Sequence, residues 1–382
     1  MAATEKGVWD LQEVRDKQLA SEWSYESTKH QLWLQGENEA GQIGDNSIIN
    51  RSSPTQLPGV YLKAFRGDSK TALALKTDST LWFWGRNTYG QAAQNTQSPG
   101  YSSPVQIPGT TWIRAKGGAM SGGLKSDGTL WTWGFNNAGG LGQNQGPSQL
   151  GNTSSPVQVP GSWTKFFSAG YSNYAIKGGE LWVWGYGNQG QLSQGNYTQY
   201  SSPVQIPGTT WDEIGPGGQT CMAVKTNGSL WIWGNNSYGQ LGLNEATGNH
   251  KQSPNQIGSG VDWETERGKF NASLHLGAIK TDGTLYMWGR NNKGQMGDNS
   301  TVQKSSPVQV PGTTWEYLQI ADSTTIASKT DGTIWGWGDG TEGKLGFNNT
   351  INRSSPTQLP GEYTIKSVEG SGASNVMLLK QL

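Results

Sequence analysis

One phrase dominates this chain. Leu-Trp-x-Trp-Gly-x-Asn-x-x-Gly-Gln-Leu-Gly, followed by Ser-Ser-Pro, recurs with variations seven times, and its first aromatic residue falls at Trp33, Trp82, Trp131, Trp182, Trp231, Tyr286 and Trp335. The steps between them are 49, 49, 51, 49, 55 and 49 residues. A fixed period of this size marks a repeat architecture, in which no unit buries its apolar face alone and its neighbours supply the rest of the core. A length of 382 residues would otherwise suggest two or three domains. The repeat instead predicts one large domain over residues 29–382, preceded by residues 1–28, which belong to no unit.

The unit from Thr111 to Pro156 points to an all-β fold. Asp127-Gly128 lies between two alternating runs and predicts a type I′ hairpin, which needs positive φ at both central residues. The pair recurs as Asp282-Gly283, Asp331-Gly332 and Asn227-Gly228, with Asp78-Ser79 and Gly178-Gly179 as departures. In Leu130-Trp131-Thr132-Trp133 the two indoles are two residues apart. Period two predicts that both face the core between units, each nitrogen needing a polar partner. The Gly-x-Asn-x-x-Gly-Gln stretch predicts a tight loop, its Gly and Asn in left-handed backbone. Ser-Ser-Pro-Val-Gln-Ile-Pro-Gly predicts a strand at a sheet edge, since proline lacks a donor. The 56 Gly and 16 Pro, without long 3.6-period runs, argue against helices. Several short strands per unit predict a four-stranded propeller blade. A β-solenoid is the alternative, normally with a shorter period and atypical capping repeats.

The chain ends separate a ring from an open stack. First halves of the unit open at Tyr61, Trp112, Trp163, Trp211, Trp263, Trp315 and Tyr363. The first phrase, Lys29-His30-Gln31-Leu32-Trp33, is a second half, and Asn375–Lys380 is the strand of a first half. The expectation is an all-β, seven-bladed β-propeller of four-stranded blades, closed by pairing of the C-terminal strand with the N-terminal strand, plus a short N-terminal arm or helix. Such closure leaves no raw sheet edge.

Seven phrases such as Leu230-Trp231-Ile232-Trp233-Gly234-Asn235-Asn236-Ser237-Tyr238-Gly239-Gln240-Leu241-Gly242 resemble the regulator of chromosome condensation family of seven-bladed propellers, over residues 29–382. The resemblance implies the fold and leaves function open, because family members include nucleotide exchangers for a small nuclear GTPase, receptors, ubiquitin ligase modules and bacterial surface or phage proteins. The absence of a basic N-terminal tail, the short inter-repeat connections and the near-identical Trp-, Gly-, Asn- and Gln-rich units resemble the bacterial and phage members.

Composition narrows the chemistry. Lys+Arg and Asp+Glu are both 28, so charge-driven binding to nucleic acid or anionic membrane is not expected. Cys221 stands alone in an apolar strand, which excludes a disulfide framework within the chain and predicts a buried thiol. No apolar run has the roughly 20 residues of a membrane span, and no signal-peptide core is present. His30, His250 and His275 share no metal-ligand spacing. Asp262, Glu264 and Glu266 fall in the longest step and are expected in solvent; Asp298 and Asp339 suit local turns better than a calcium site. No nucleophile elbow or phosphate loop occurs. The expectation is therefore a protein without catalytic residues, metal or cofactor.

What remains is surface. The loops carry Arg86, Tyr89, Phe135, Tyr186, Tyr238, Arg290 and Lys293 on a constant framework, and such residues suit protein or sugar recognition. Tyr89 and Tyr238, at matching positions, serve equally as fillers between loops. In residues 1–28, Val8, Trp9, Leu11, Val14, Leu19 and Trp23 include a near-helical apolar spacing, and Asp10 with Glu13 resembles a capping box. Lys6-Gly7-Val8-Trp9-Asp10-Leu11-Gln12-Glu13-Val14 is similar to N-termini of phage virion structural proteins. The combined expectation is a non-enzymatic virion protein of tail, fibre or capsid, oligomeric in the particle. Its N-terminal segment would join other virion proteins, and its propeller would bind a host protein or glycan. The alternative is a cytoplasmic scaffold or guanine-nucleotide exchange factor for a small GTPase.

Overall fold

The computed structural model of the chain describes residues 29–67, 70–369 and 375–381. Apart from a 3-10 turn at Thr341–Gly343, every regular element in them is a strand. They build an all-β propeller of four-stranded blades. Five sheets, over residues 112–159, 165–206, 211–256, 270–309 and 315–358, are antiparallel meanders in chain order. The remaining sheet joins Asn375–Gln381, His30–Gly36, Arg51–Arg66, Thr71–Lys76, Leu81–Asn87 and Ser98–Gln106 in that order. Arg51–Arg66, 16 residues long, serves two groups: its first half pairs with His30–Gly36 and its second with Thr71–Lys76.

The pairing expected of the two terminal strands is present. His30–Gly36 runs antiparallel to Asn375–Gln381 without a register shift, from His30 opposite Gln381 to Gly36 opposite Asn375. The innermost position of that group is thin. Thr364 bridges Leu379, after which the chain turns away and Val368–Glu369 pairs in parallel with Ala64 and Phe65. Gln319, from the neighbouring sheet, donates its amide to Met377 O at 3.2 Å.

A meander has two ends, so the molecule has two faces. The hairpin face carries the turns between second and third strands and the links between blades. These turns correct the type I′ expectation. In Lys125–Thr129, Gly128 N–H donates to Lys125 O and Lys125 N–H to Thr129 O, both at 3.0 Å, and only Gly128 has positive φ. This is a three-residue loop, a type I turn with a glycine bulge. Asp127 stays right-handed because its carboxylate is engaged within the turn, where it accepts from Thr129 N–H and Oγ1. The departure Gly178-Gly179 is the pair with positive φ at both residues.

The two indoles of the phrase have different fates. Trp84, Trp133, Trp184, Trp233, Trp288 and Trp337 are fully buried between blades. Each Nε1–H donates back to the preceding loop, to the carbonyl of Gln42, Gln91, Gly140, Gln191, Gln240 and Gln295 respectively, at 2.6–2.9 Å. A buried donor left unpaired would cost about 1–3 kcal/mol, so the acceptor fixes the blade spacing as well as the ring. In the first phrase Gln35 takes this place, and its Nε2 donates to the matching carbonyl of Lys344 at 3.1 Å. The first aromatic residue of each phrase, two residues back and about 7 Å nearer the hairpin face, is only half-buried. Trp131, for example, donates to Thr129 Oγ1 of its own turn at 3.0 Å. Both aromatics of the phrase therefore pack against the core, as expected, but only the second is fully buried.

A second clasp joins the blades at the other face. Loop glycines 41, 90, 139, 190, 239, 294 and 343 lie so close to the next Ser-Ser-Pro strand that a Cβ would fall 2.2–2.9 Å from its nearest atom. A few residues on, the main-chain N–H of Asn46, Asn95, Asn144, Asn244, Asn299 and Asn348 donates to the carbonyl of Ser102, Ser154, Ser201, Ser305, Ser354 and Ser52 at 2.7–3.0 Å. These Asn are left-handed, with φ of 54–60°. The Asn of the phrase itself is not. Asn38, Asn87, Asn136, Asn236 and Asn291 use their side chains instead, each accepting from the N–H five residues on. The Ser-Ser-Pro strand does lie at the sheet edge, and there its free carbonyls receive the neighbouring loop.

The innermost strands surround the axis. Between Trp263 and Phe270 the longest step loops out, and Arg267 enters the axial cavity. Its guanidinium lies 3.0 Å from Glu213 and 2.9 Å from Glu369, two buried carboxylates from different sheets. Lys165 adds a contact to Glu213 at 3.1 Å, and Arg114 and Lys63 approach Glu369 at 3.7 and 3.8 Å. Of the carboxylates expected in solvent, Asp262 and Glu266 are exposed, Asp262 2.9 Å from Lys280, and Glu264 is half-buried.

Candidate functional site

The loop face carries the seven expected recognition residues, all half-buried. The structure gathers three of them. Tyr89 and Phe135, from adjacent loops, have ring centroids 4.6 Å apart. Phe135 lies 5.2 Å from Tyr171, and Tyr171 lies 6.2 Å from Tyr186. A continuous aromatic run thus crosses three blades. Its middle member, Tyr171, is 42 % exposed and was not among the expected residues. It belongs to the first turn of its unit, outside the phrase; Gly170-Tyr171 aligned with Gly118-Ala119 and Gly218-Gln219 is the signal that could have found it.

Tyr238 and Arg290 form a separate pair, the guanidinium 5.1 Å from the ring centroid. Arg290 also borders an open cleft of about 390 Å³, with Gly170, Gln219, Thr220, Leu274 and Asp322 among its lining residues. Gly170 places this cleft beside the aromatic run. Arg86 stands apart, its side chain in no ion pair or ring contact among the described residues. Lys293 donates its main-chain N–H to Gln295 Oε1, a turn contact. The arc beside Tyr89 is charged: Arg86 N–H donates to Lys70 O at 3.0 Å, and Lys70 lies between Glu37 and Glu39 at 2.5 and 2.6 Å. Val8, Trp9, Leu11, Val14, Leu19 and Trp23, and the arm or helix expected there, lie outside the described residues.

The loops can vary at their tips because their bases are stapled. Asn136 Nδ2 donates to Leu150 O while its Oδ1 accepts from Leu141 N–H, so both ends of the long loop are held by one buried side chain. Within that span Gly139 and Asn144 still clasp the next blade, and residues 145–149 form the tip.

Residues 127–175, 178–224, 282–321 and 331–378 match the family model described as regulator of chromosome condensation (RCC1) repeat, and residues 217–240 match a second model of the same description. Together these cover just over half of the chain. The chain belongs to the RCC1 repeat family. Prp20p from Saccharomyces cerevisiae is a solved structure of similar shape, with TM-score 0.80, 17 % identity and coverage of 94 % of this chain and 93 % of that one. Human WBSCR16 gives 0.78 and 19 %, over 92 % and 99 %. At such identities the likeness shows the fold alone. The ultraviolet-B receptor UVR8 of Arabidopsis thaliana is 26 % identical over 296 residues, 72 % of this chain and 64 % of the receptor. The E3 ubiquitin-protein ligase HERC2 of Homo sapiens is 27 % identical over 295 residues, 71 % of this chain and 6 % of the ligase. The RCC1-repeat chain therefore spans less than two thirds of either relative.

The titratable groups of this RCC1-repeat propeller serve its structure. His275 is buried, with Nε2 2.9 Å from Thr325 Oγ1 of the next sheet. Burial, aided by Arg290, pushes its pKa down to about 3, so the ring is neutral. His250 Nδ1 accepts from Asn236 N–H. Cys221 is buried as expected, and burial raises its thiol. Asp298 and Asp339 accept from Ser300 and Thr341 in local turns. Among the described residues no group of three or more His, Cys, Asp or Glu converges as a metal site, and no helix is long and apolar enough to cross a membrane.

Proposed function

We propose that this chain is a non-enzymatic recognition head: a closed, seven-bladed wheel that binds a protein or glycan on its loop face. The observation that carries this reading is the aromatic run Tyr89–Phe135–Tyr171–Tyr186 beside the cleft of Arg290 and Asp322. Half-buried rings offer contact area at little entropic cost, and adjoining amide, guanidinium and carboxylate groups supply orientation. Closure is supported by the paired terminal strands and by two clasps that continue across the seam, Gln35 to Lys344 and Asn348 to Ser52.

The wheel is further proposed to be a virion component held by residues 1–28. His30 begins its strand at the hairpin face, on the side away from the recognition loops. Anchor and ligand would then point in opposite directions. The exchange-factor alternative rests on fold likeness alone.

Screening the labelled full chain on a glycan array and against host-surface protein extracts tests the head. Bound signal should fall at least about tenfold in Tyr171→Ala with the thermal midpoint unchanged. Equal signal from the variant would remove the loop face from the reading. Particles made without residues 1–28 should lack the protein; normal incorporation would sink the anchor.

A further inference from the structure

The hairpin face is uniform except at the seam. At five junctions one blade's turn touches the next blade: the main-chain N–H of Trp112, Trp163, Trp211, Trp263 and Trp315 donates to the carbonyl of Ser79, Gly128, Gly179, Gly228 and Gly283. The following turn, Asp331-Gly332, faces a gap. A Cβ on Gly332 would meet nothing within 4 Å, whereas one on Gly228 or Gly283 would fall 2.3 or 2.4 Å from a neighbouring carbonyl oxygen. The gap is a cleft of about 520 Å³, lined by Asp331, Thr333, Glu362, Tyr363, Thr364 and Lys380 among others.

Lys380 is the odd member of a series. Lys125, Lys177, Lys225, Lys280 and Lys329 each hold Nζ 4.1–5.2 Å from the centroids of two aromatic rings. Lys380, at the matching place after Leu379, is exposed and lies over no ring among the described residues. At the seam the two ring positions are Trp33 and Tyr363, packed edge to face at 6.0 Å.

The chain enters at the rim of this cleft. Gln31 is paired with Lys380 and His30 with Gln381, so the strand start to which residues 1–28 are joined lies beside it. Trp23, six residues before Lys29, is the nearest indole on that segment, within a reach of about 20 Å.

We propose that residues 19–28 dock in the seam cleft of their own chain, with the Trp23 indole against Tyr363 and beneath Lys380. The docked segment gives Lys380 a ring contact of the kind that its counterparts make, and fills the gap over Gly332. It goes beyond the recognition reading and is independent of what the loop face binds. Residues 1–18 remain available to another protein.

Hydrogen exchange on the full chain tests this. Amides of 331–333 and 361–364 should exchange about tenfold more slowly in the wild type than in Trp23→Ala, with the turns at 127–128 and 282–283 unchanged. In a second measurement, Ser24→Cys combined with Glu362→Cys should form a disulfide within one chain, at a rate independent of protein concentration. Ser24→Cys with Asn137→Cys, on the loop face, should not link. Equal exchange at the cleft in both proteins, no 24–362 link, or a link joining two chains overturns the proposal.

Discussion

An ordinary blade junction and the seam hold neighbouring blades together with different chemistry. Between the 165–206 and 211–256 sheets, Trp233 fills the interface and donates to Gln191 O. At the seam Gln35 makes the equivalent bond to Lys344 O without the indole. The seam lacks that aromatic volume, has a two-residue innermost strand at Val368–Glu369, and lacks a turn contact over Gly332. It has instead the full register between His30–Gly36 and Asn375–Gln381, and the tie from Glu369 through Arg267 to Glu213 across the axis. The difference teaches that directional bonds, rather than bulk, keep the spacing constant from blade to blade.

Trp233→Ala attacks the ordinary junction and should cost the most, about 3–5 kcal/mol in denaturant unfolding, from the cavity plus the orphaned carbonyl. Acid comes next and separates the two regions. His275, at an ordinary junction, is held neutral, with a pKa of about 3 against an ordinary 6.5. The unfolded chain takes up that proton first, so stability should decline as pH falls below about 6.5. His275→Gln should flatten that part of the profile. Burial alone would raise the Glu369 carboxyl; Arg267, Arg114 and Lys63 outweigh it and hold the pKa below its ordinary 4.5. Its contribution is present above that value and is lost only as pH falls further. A profile flat from pH 7 to 4 would contradict the assignment for His275.

Arg267→Ala should cost about 2 kcal/mol, less than a fully buried pair because the guanidinium is partly solvated. The loss should be felt first at the seam, as faster exchange in 376–379; a uniform rise across all sheets would break the idea of a seam-specific tie. Gln35→Ala should cost about 1–2 kcal/mol, well under Trp233→Ala. An equal cost would show that the seam relies on bulk after all. Lys225→Ala, which removes an ammonium 4.3 Å from Trp231, should change stability by about 0.5 kcal/mol.

Most of the framework was legible because each unit repeats the same local physics. Period two in Leu130-Trp131-Thr132-Trp133 gives a strand, glycine gives the close approach at loop positions such as Gly294, and the two half-units at the ends give the pairing of His30–Gly36 with Asn375–Gln381. The misreadings have a common cause. Asn, Gly and Trp each have more than one use, and spacing does not choose between them. The phrase Asn proved a side-chain staple, while the Asn that follows Gly-Gln-x-Gly-x took the left-handed backbone. The site was less legible. Tyr89, Phe135 and Tyr186 all lie in phrase loops and could be named, but Tyr171 lies in another turn, 15 residues before Tyr186. Only the proximity of two turns on one face joins them.

By itself, then, the sequence determined the class of strand, the repeating unit and the residues free to vary, because these follow from local spacing that every copy repeats. Tertiary structure decided which indole is buried, where Arg267 goes and which loop residues meet. Those depend on the distance between blades, and that distance is set by clasps between residues far apart in the chain, such as Trp133 with Gln91 and Asn95 with Ser154.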